Sequence, residues 1–143
     1  PLALLFIDLD KFKETNDSFG HSVGDQLLAE VAHRINDCVR ATDTVARLGG
    51  DEFTVILTEV NRIPHVEVLA QEIVQSLAKP FHIKDEEIMI SGSVGITICP
   101  HDGEAASTLL KNADQAMYVA KHSGGNHFSF YTPSMRDTIR VSS

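Results

Sequence analysis

Two short acidic clusters are the residues best suited to chemistry in this chain. Asp8-Leu9-Asp10 closes the apolar run Leu2-Ala3-Leu4-Leu5-Phe6-Ile7, and Asp51-Glu52 follows directly on Gly49-Gly50. In a strand, alternate residues share a face, so Asp8 and Asp10 point the same way with Leu9 between them. Hard divalent cations take such carboxylates together with carbonyl oxygens. Each cluster alone is a weak signal, because an isolated DxD most often ends a strand or caps a helix, and acids commonly decorate hairpins. Together they say more. A hairpin lying beside the first strand would set Asp8 and Asp51 facing each other. Two carboxylates in that arrangement repel unless a cation or a proton lies between them. Metal-assisted phosphoryl or nucleotidyl transfer uses such a clamp. Gly49 and Gly50, without side chains, also let a ligand approach the backbone closely.

The elements that must position these acids are legible in the apolar pattern. The run over residues 2–7 is short and continuous, which suits a central strand buried on both faces. Phe12 to Phe19 reads as a short helix stopped at Gly20. Leu27, Leu28, Val31, Ala32, Ile35, Cys38 and Val39 follow the helical period, which predicts an amphipathic helix over residues 23–39. Thr44 to Leu48 and Phe53 to Leu57 are β-prone runs joined through Gly-Gly, a hairpin signal. Val66, Leu69, Ala70, Ile73, Val74, Leu77 and Ala78 predict a helix over 66–78 that ends before Pro80. From Ile88 to Ile98 apolar residues alternate with Ser91, Ser93 and Thr97, which predicts one long strand with a single apolar face, closed by Pro100. A helix over 105–121 and a short strand at Phe128-Ser129-Phe130-Tyr131 complete the order β-α-α-β-β-α-β-α-β. That order implies an α/β (α+β) fold, a ferredoxin-like and palm-like, mainly antiparallel sheet flanked by helices.

Length and composition bound the function. The 143 residues suit one domain, and 43% hydrophobic content can bury a real core. A net charge of −8 argues against a nucleic-acid coat or a basic membrane-surface patch. No apolar run approaches the roughly 18 residues of a membrane span, and no signal peptide is visible. The expectation is a cytoplasmic domain, whose parent protein could still be membrane-anchored. Cys38 and Cys99 form no CxxC pair and read as small core residues. The seven histidines make no metal-ligand pair; His21 reads as a packing or capping residue. Phe12 and Phe19 read as core and pocket wall. The polar tail after Pro133 is expected to be a linker over 133–143.

Arg47-Leu48-Gly49-Gly50-Asp51-Glu52-Phe53 resembles the signature of the GGDEF family, the bacterial diguanylate cyclase domain. The resemblance continues in Phe6-Ile7-Asp8-Leu9-Asp10-Lys11-Phe12-Lys13, Asn16-Asp17, Phe19-Gly20-His21 and Gly24-Asp25. It ends in Ala113-Asp114-Gln115-Ala116-Met117-Tyr118-Val119-Ala120-Lys121. These blocks stand in the family's order and cover about residues 2–131, which places the domain at 1–132. The family's lead-in helix and its Asp-x-Leu-Thr segment are not among these residues, and Gly125 stands where the family usually has a basic residue. The tail after Phe130-Tyr131-Thr132-Pro133 resembles the passage into an EAL phosphodiesterase domain.

The resemblance implies a reaction: two GTP condense to cyclic di-GMP with release of two pyrophosphates, using Mg²⁺ or Mn²⁺. Asp8 and Asp51 match the metal-binding acids and Leu9 the residue whose carbonyl completes the site. Glu52 matches an acid near the metal or the attacking 3′-hydroxyl. Asn16 and Asp25 match the guanine-recognition pair; a carboxylate accepts the N1–H and N2–H donors of guanine, and an amide serves its N3 or amino edge. The amides around Phe12 and Lys13 open a helix, where phosphate binds well. Lys121 matches a triphosphate-binding lysine. Arg40-Ala41-Thr42-Asp43 matches the family's inhibitory RxxD site, expected at the surface away from the metal, with Arg47 joining it to the hairpin. The implied partners are GTP, cyclic di-GMP, a second copy for catalysis, and linked sensor or EAL domains, with no nucleic acid. The alternative implication is a weak or silent GGDEF domain that binds GTP or cyclic di-GMP and regulates an attached EAL domain.

Overall fold

The computed structural model describes residues 1–137. Its elements are β1 (Leu2–Asp10), α1 (Phe12–Phe19), α2 (His21–Cys38), β2 (Thr44–Gly49), β3 (Glu52–Leu57), α3 (Ile63–Leu77), β4 (Phe81–Ile83), β5 (Glu86–Ile88), β6 (Ser91–Cys99), α4 (Ala106–His122) and β7 (Phe128–Phe130). A short 3-10 turn, Pro133–Asp137, packs on α4. Five strands form one sheet in the order β2-β3-β1-β6-β7. All neighbours are antiparallel except β6 and β7, which α4 joins as a parallel crossover.

β1 is the central strand, and both its faces are buried. Ala3, Leu5, Ile7 and Leu9 pack with α2 and α3 residues such as Leu27, Val31, Ile73 and Leu77. Leu4 and Phe6 on the other face meet Leu109, Ala113 and Met117 of α4. The approach of α4 depends on Gly95, where an added Cβ would run into the Ala113 carbonyl and the Met117 amide. Arg34 ties α2 to α3: its guanidinium donates to the carbonyls of Ser76, Lys79 and Pro80 at 2.6–2.8 Å and lies 3.4 Å above the Phe81 ring.

Two sequence expectations need correction. The predicted strand from Ile88 to Ile98 is two elements. Ile88 belongs to β5, which forms a separate hairpin with β4, and β6 starts only at Ser91. The β4–β5 turn is Lys84-Asp85, both left-handed (φ 50 and 66), so the usual glycine marker of such a turn is absent. The polar face of β6 is also not open: Ser93 and Thr97 are fully buried under α4. Thr97 Oγ1 donates to the Leu109 carbonyl at 3.1 Å. Cys38 and Cys99 are free thiols, half-buried at the core's margin. Of the predicted linker, residues 138–143 lie outside the described residues.

Candidate active site

The site forms at one end of β1, where the β2–β3 hairpin turns beside it. Asp8 stands directly opposite Glu52 in the antiparallel ladder, and the Leu9 amide donates to the Asp51 carbonyl at 3.2 Å. Gly50, in the left-handed region at φ 50, makes the turn with Asp51, and no atom lies near where its Cβ would project. The Arg47 Nε donates to the Gly50 carbonyl at 2.9 Å and holds the turn.

This geometry brings Asp8 and Asp51 together, close enough to share a hydrogen bond. Burial, and then the negative charge of Asp51, push the Asp8 carboxyl up to about 7; Glu52 adds to the rise and Lys121 opposes it. Asp8 Oδ1 is buried without a hydrogen-bond partner. Lys121, projecting from the last turn of α4, supplies the positive charge the acids need. Its Nζ lies 3.5 Å from Asp8 Oδ2, 3.3 Å from Asp10 Oδ1 and 3.2 Å from the Leu9 carbonyl. Among the described residues no three His, Cys, Asp or Glu side chains converge as a complete metal cage. A divalent cation nevertheless fits this donor set. Two carboxylates that repel, an unpartnered buried oxygen and a carbonyl already turned toward positive charge are hard ligands, with coordination left for phosphate and water.

Asp10, which the sequence groups with Asp8 on one face of the strand, proves to be a structural anchor whose partners the sequence did not identify. It is buried and accepts from Ser91 Oγ at 2.6 Å, Ser93 Oγ at 2.7 Å and the Asn126 amide at 2.9 Å. Burial alone would raise its carboxyl, but these bonds and Lys121 bring it below the ordinary carboxylate range. Asp10 therefore stays ionised and fastens β1 to β6 and to the loop after α4. The Asp-x-Asp spacing marked the residue and the Ser91/Ser93 alternation marked its partners, but nothing local says that β6 pairs with β1. Gly125 sits on the Asp10 carboxylate at φ 70, and a Cβ there would come within 2.8 Å of Oδ2.

The expected nucleotide contacts lie around this cluster. Lys11, left-handed at φ 62, turns the chain from β1 into α1, and no side chain caps the first turn at Phe12 and Lys13. Those amides are free for phosphate oxygens. Phe12 is half-buried against the core, while Phe19 is 38% exposed. Asn16 on α1 lies against Gly24 of α2, the residue before Asp25. Asp25 is exposed at the rim of a 510 Å³ groove between α2 and the hairpin, which Ala29, Ala32, Val45, Arg47 and Phe53 also line.

Arg40 and Asp43 occupy the far end of the β2–β3 ladder, about 20 Å from the turn at ~3.3 Å per residue. Arg40 is exposed at 59%, as expected, but the Asp43 side chain is only 2% exposed, not at the surface. Asp43 Oδ2 accepts from the Arg40 amide at 3.0 Å, and Oδ1 from the Thr58 amide at 3.2 Å. Despite its burial, these bonds hold its carboxyl below the ordinary range. The Arg40 Nη2 donates to the Thr58 carbonyl at 2.7 Å, beside a 370 Å³ pocket reaching to Glu59 and His65.

The palm-like, mainly antiparallel sheet, with two acids and a carbonyl converging at its end, matches the fold of solved GGDEF domains. Residues 1–127 match the diguanylate cyclase GGDEF domain, and the chain belongs to the GGDEF family. The bifunctional diguanylate cyclase/cyclic di-GMP phosphodiesterase MucR of Pseudomonas aeruginosa is 49% identical over 133 residues, 93% of this chain and 19% of MucR. The chain thus spans about a fifth of that relative. An EAL/GGDEF domain protein from M. capsulatus superposes with a TM-score of 0.88 at 49% identity, covering 93% of this chain and 86% of that one. The GGDEF domain of TpbB from Pseudomonas aeruginosa superposes at 0.92 with 38% identity, covering 94% and 79%. A role in cyclic di-GMP signalling follows from this membership. Among the described residues no helix is long and apolar enough to cross a membrane.

Proposed function

We propose that this domain is a diguanylate cyclase. The observation that supports it most directly is the Asp8–Asp51 contact, in which burial and like charge push Asp8 up to about 7 beside the Leu9 carbonyl. Asp8, Asp51 and that carbonyl would hold Mg²⁺ or Mn²⁺, which supplies Lewis-acid stabilisation of charge on the reacting phosphate. The uncapped start of α1 at Phe12 and Lys13 receives phosphate oxygens, and Asn16 and Asp25 read the guanine edge. Gly49 and Gly50 let the nucleotide lie close to the hairpin, with Glu52 beside the attacking 3′-hydroxyl. Each 3′-oxygen attacks the α-phosphorus of the other GTP, one P–O bond forms, pyrophosphate leaves, and the hydroxyl proton passes to a nearby base. One GTP per domain makes the catalytic species a homodimer. Lys121 holds Asp8, Asp10 and Leu9 together and then faces the triphosphate.

We further propose product inhibition through Arg40, which Asp43 orients rather than joining in recognition of guanine, with Arg47 linking the region to the catalytic turn. Residues 1–132 would form the domain and 133–143 a linker to a sensor or EAL domain. One observation favours the alternative of a silent, regulatory domain: Gly125 presents no side chain to a triphosphate and lies packed on Asp10. Incubating the protein with GTP and Mg²⁺ and separating the products decides between these readings. The cyclase reading expects cyclic di-GMP from the parent and none from Asp51→Asn with its fold intact. An Asp51→Asn protein within a few-fold of the parent overturns the assignment.

A further inference from the structure

His21 opens α2 directly after Gly20, the residue that closes α1, and its ring reaches back over α1. Its Nδ1 lies 2.8 Å from Asn16 Nδ2. An amide nitrogen only donates, so the imidazole accepts at Nδ1 and carries its proton on Nε2. The other end of the Asn16 carboxamide lies over Gly24, where a Cβ would collide with Oδ1 and approach Cγ to 3.2 Å. These two contacts act on opposite ends of one planar group. Gly24 leaves room for the oxygen, and His21 takes a proton from the nitrogen.

We propose that His21 is a positioning residue for purine selectivity: it fixes which end of the Asn16 amide donates and which accepts. The inference rests on reading Asn16 and Asp25 as the guanine pair. Guanine offers N3 as an acceptor and its 2-amino group as a donor, and a correctly turned amide meets them with one N–H and Oδ1. Turned over, the amide sets donor against donor and acceptor against acceptor. With no bond to His21, both orientations are accessible and the match is partly lost. Hypoxanthine lacks the 2-amino group, so ITP gains much less from a fixed amide. Asp25 also accepts from the 2-amino group, so the part of the GTP/ITP preference that is lost in Asn16→Ala reports the orientation of Asn16 rather than general integrity of the fold.

The test measures displacement of mant-GTP by unlabelled GTP and ITP from the intact protein in Mg²⁺. Asn16→Ala is expected to lower the GTP/ITP affinity ratio at least about fivefold, Asp25 retaining the remainder. His21→Leu should lower that ratio by roughly fivefold, the loss of one ordinary hydrogen bond, with ITP affinity little changed. His21→Asn can place its own oxygen near the former Nδ1 and should restore most of the ratio. Because His21 is exposed, these substitutions should leave the helix packing intact. Should Leu prove unstable there, His21→Gln, whose oxygen reaches past the Nδ1 position, gives the same comparison. If Asn16→Ala lowers the ratio but His21→Leu and His21→Gln keep it, the positioning role is overturned while the guanine reading stands. If Asn16→Ala leaves the ratio untouched, the guanine reading itself fails and takes the inference with it.

Discussion

Replacing Asp8 by Asn should make the protein more stable while removing its response to divalent cations. The folded structure raises the Asp8 carboxyl from 3.8 to about 7. A gap of about 3 pH units at ~1.36 kcal/mol each amounts to about 4 kcal/mol against the ionised form. The sign is that of a raised carboxyl. Between these two values the native state binds more protons than the unfolded chain, so stability falls as pH rises. The contribution is fully present below about pH 4 and fully lost above about pH 7. Asn carries no charge at any pH and escapes that loss, although it weakens the contact with Lys121. The expected net gain at pH 8 without divalent cation is about 2–4 kcal/mol, a rise in Tm of roughly 10 °C. At pH 5, about 1.2 pH units above the unfolded value of 3.8, the gain should shrink to about 1.5 kcal/mol or less. The assay is urea or thermal unfolding of both proteins at the two pH values, with and without Mg²⁺. Added Mg²⁺ should stabilise the parent at pH 8 and not the variant. An Asp8→Asn protein no more stable than the parent at pH 8, or equally stabilised at both pH values, refutes the account of the acid pair.

Gly95→Ala should cost about 3 kcal/mol or more by forcing α4 off the sheet, measured as a lowered urea midpoint; an effect under 1 kcal/mol would show that the close helix approach is dispensable. Asp25→Ala should raise the KM for GTP by roughly 10- to 100-fold, the loss of hydrogen bonds to a charged acceptor, and narrow the GTP/ATP preference; unchanged selectivity removes Asp25 from the guanine pair. Arg40→Ala should weaken cyclic di-GMP binding in calorimetric titration at least tenfold, while Asp43→Ala should do so only indirectly and also destabilise the α2–β2 turn. Equal affinity in parent and Arg40→Ala leaves RATD as a structural turn.

Much of this protein was legible in its residues because the signals were local. The short continuous run before Asp8 suits a strand covered on both sides, and it is the strand between α4 and the α2–α3 layer. The Gly-Gly hairpin, the helical periods of α2, α3 and α4, and the acids at two chain reversals were all readable within short windows. The β4–β5 hairpin was not, because Lys84 and Asp85 adopt left-handed backbone without the glycine that marks such turns. Tertiary structure alone decided what distant partners decide. It paired Ser91 with Asp10 and Ser93 with Asp8 across β1 and β6, which turned a seemingly polar strand face into a buried anchor. It buried Asp43 inside its own turn. It carried Lys121, more than a hundred residues away in sequence, to Asp8, Asp10 and Leu9. Residue types and spacing determine which groups a chain can offer. Burial and charge–charge distance determine what those groups do, and both depend on segments that meet only when the sheet is assembled.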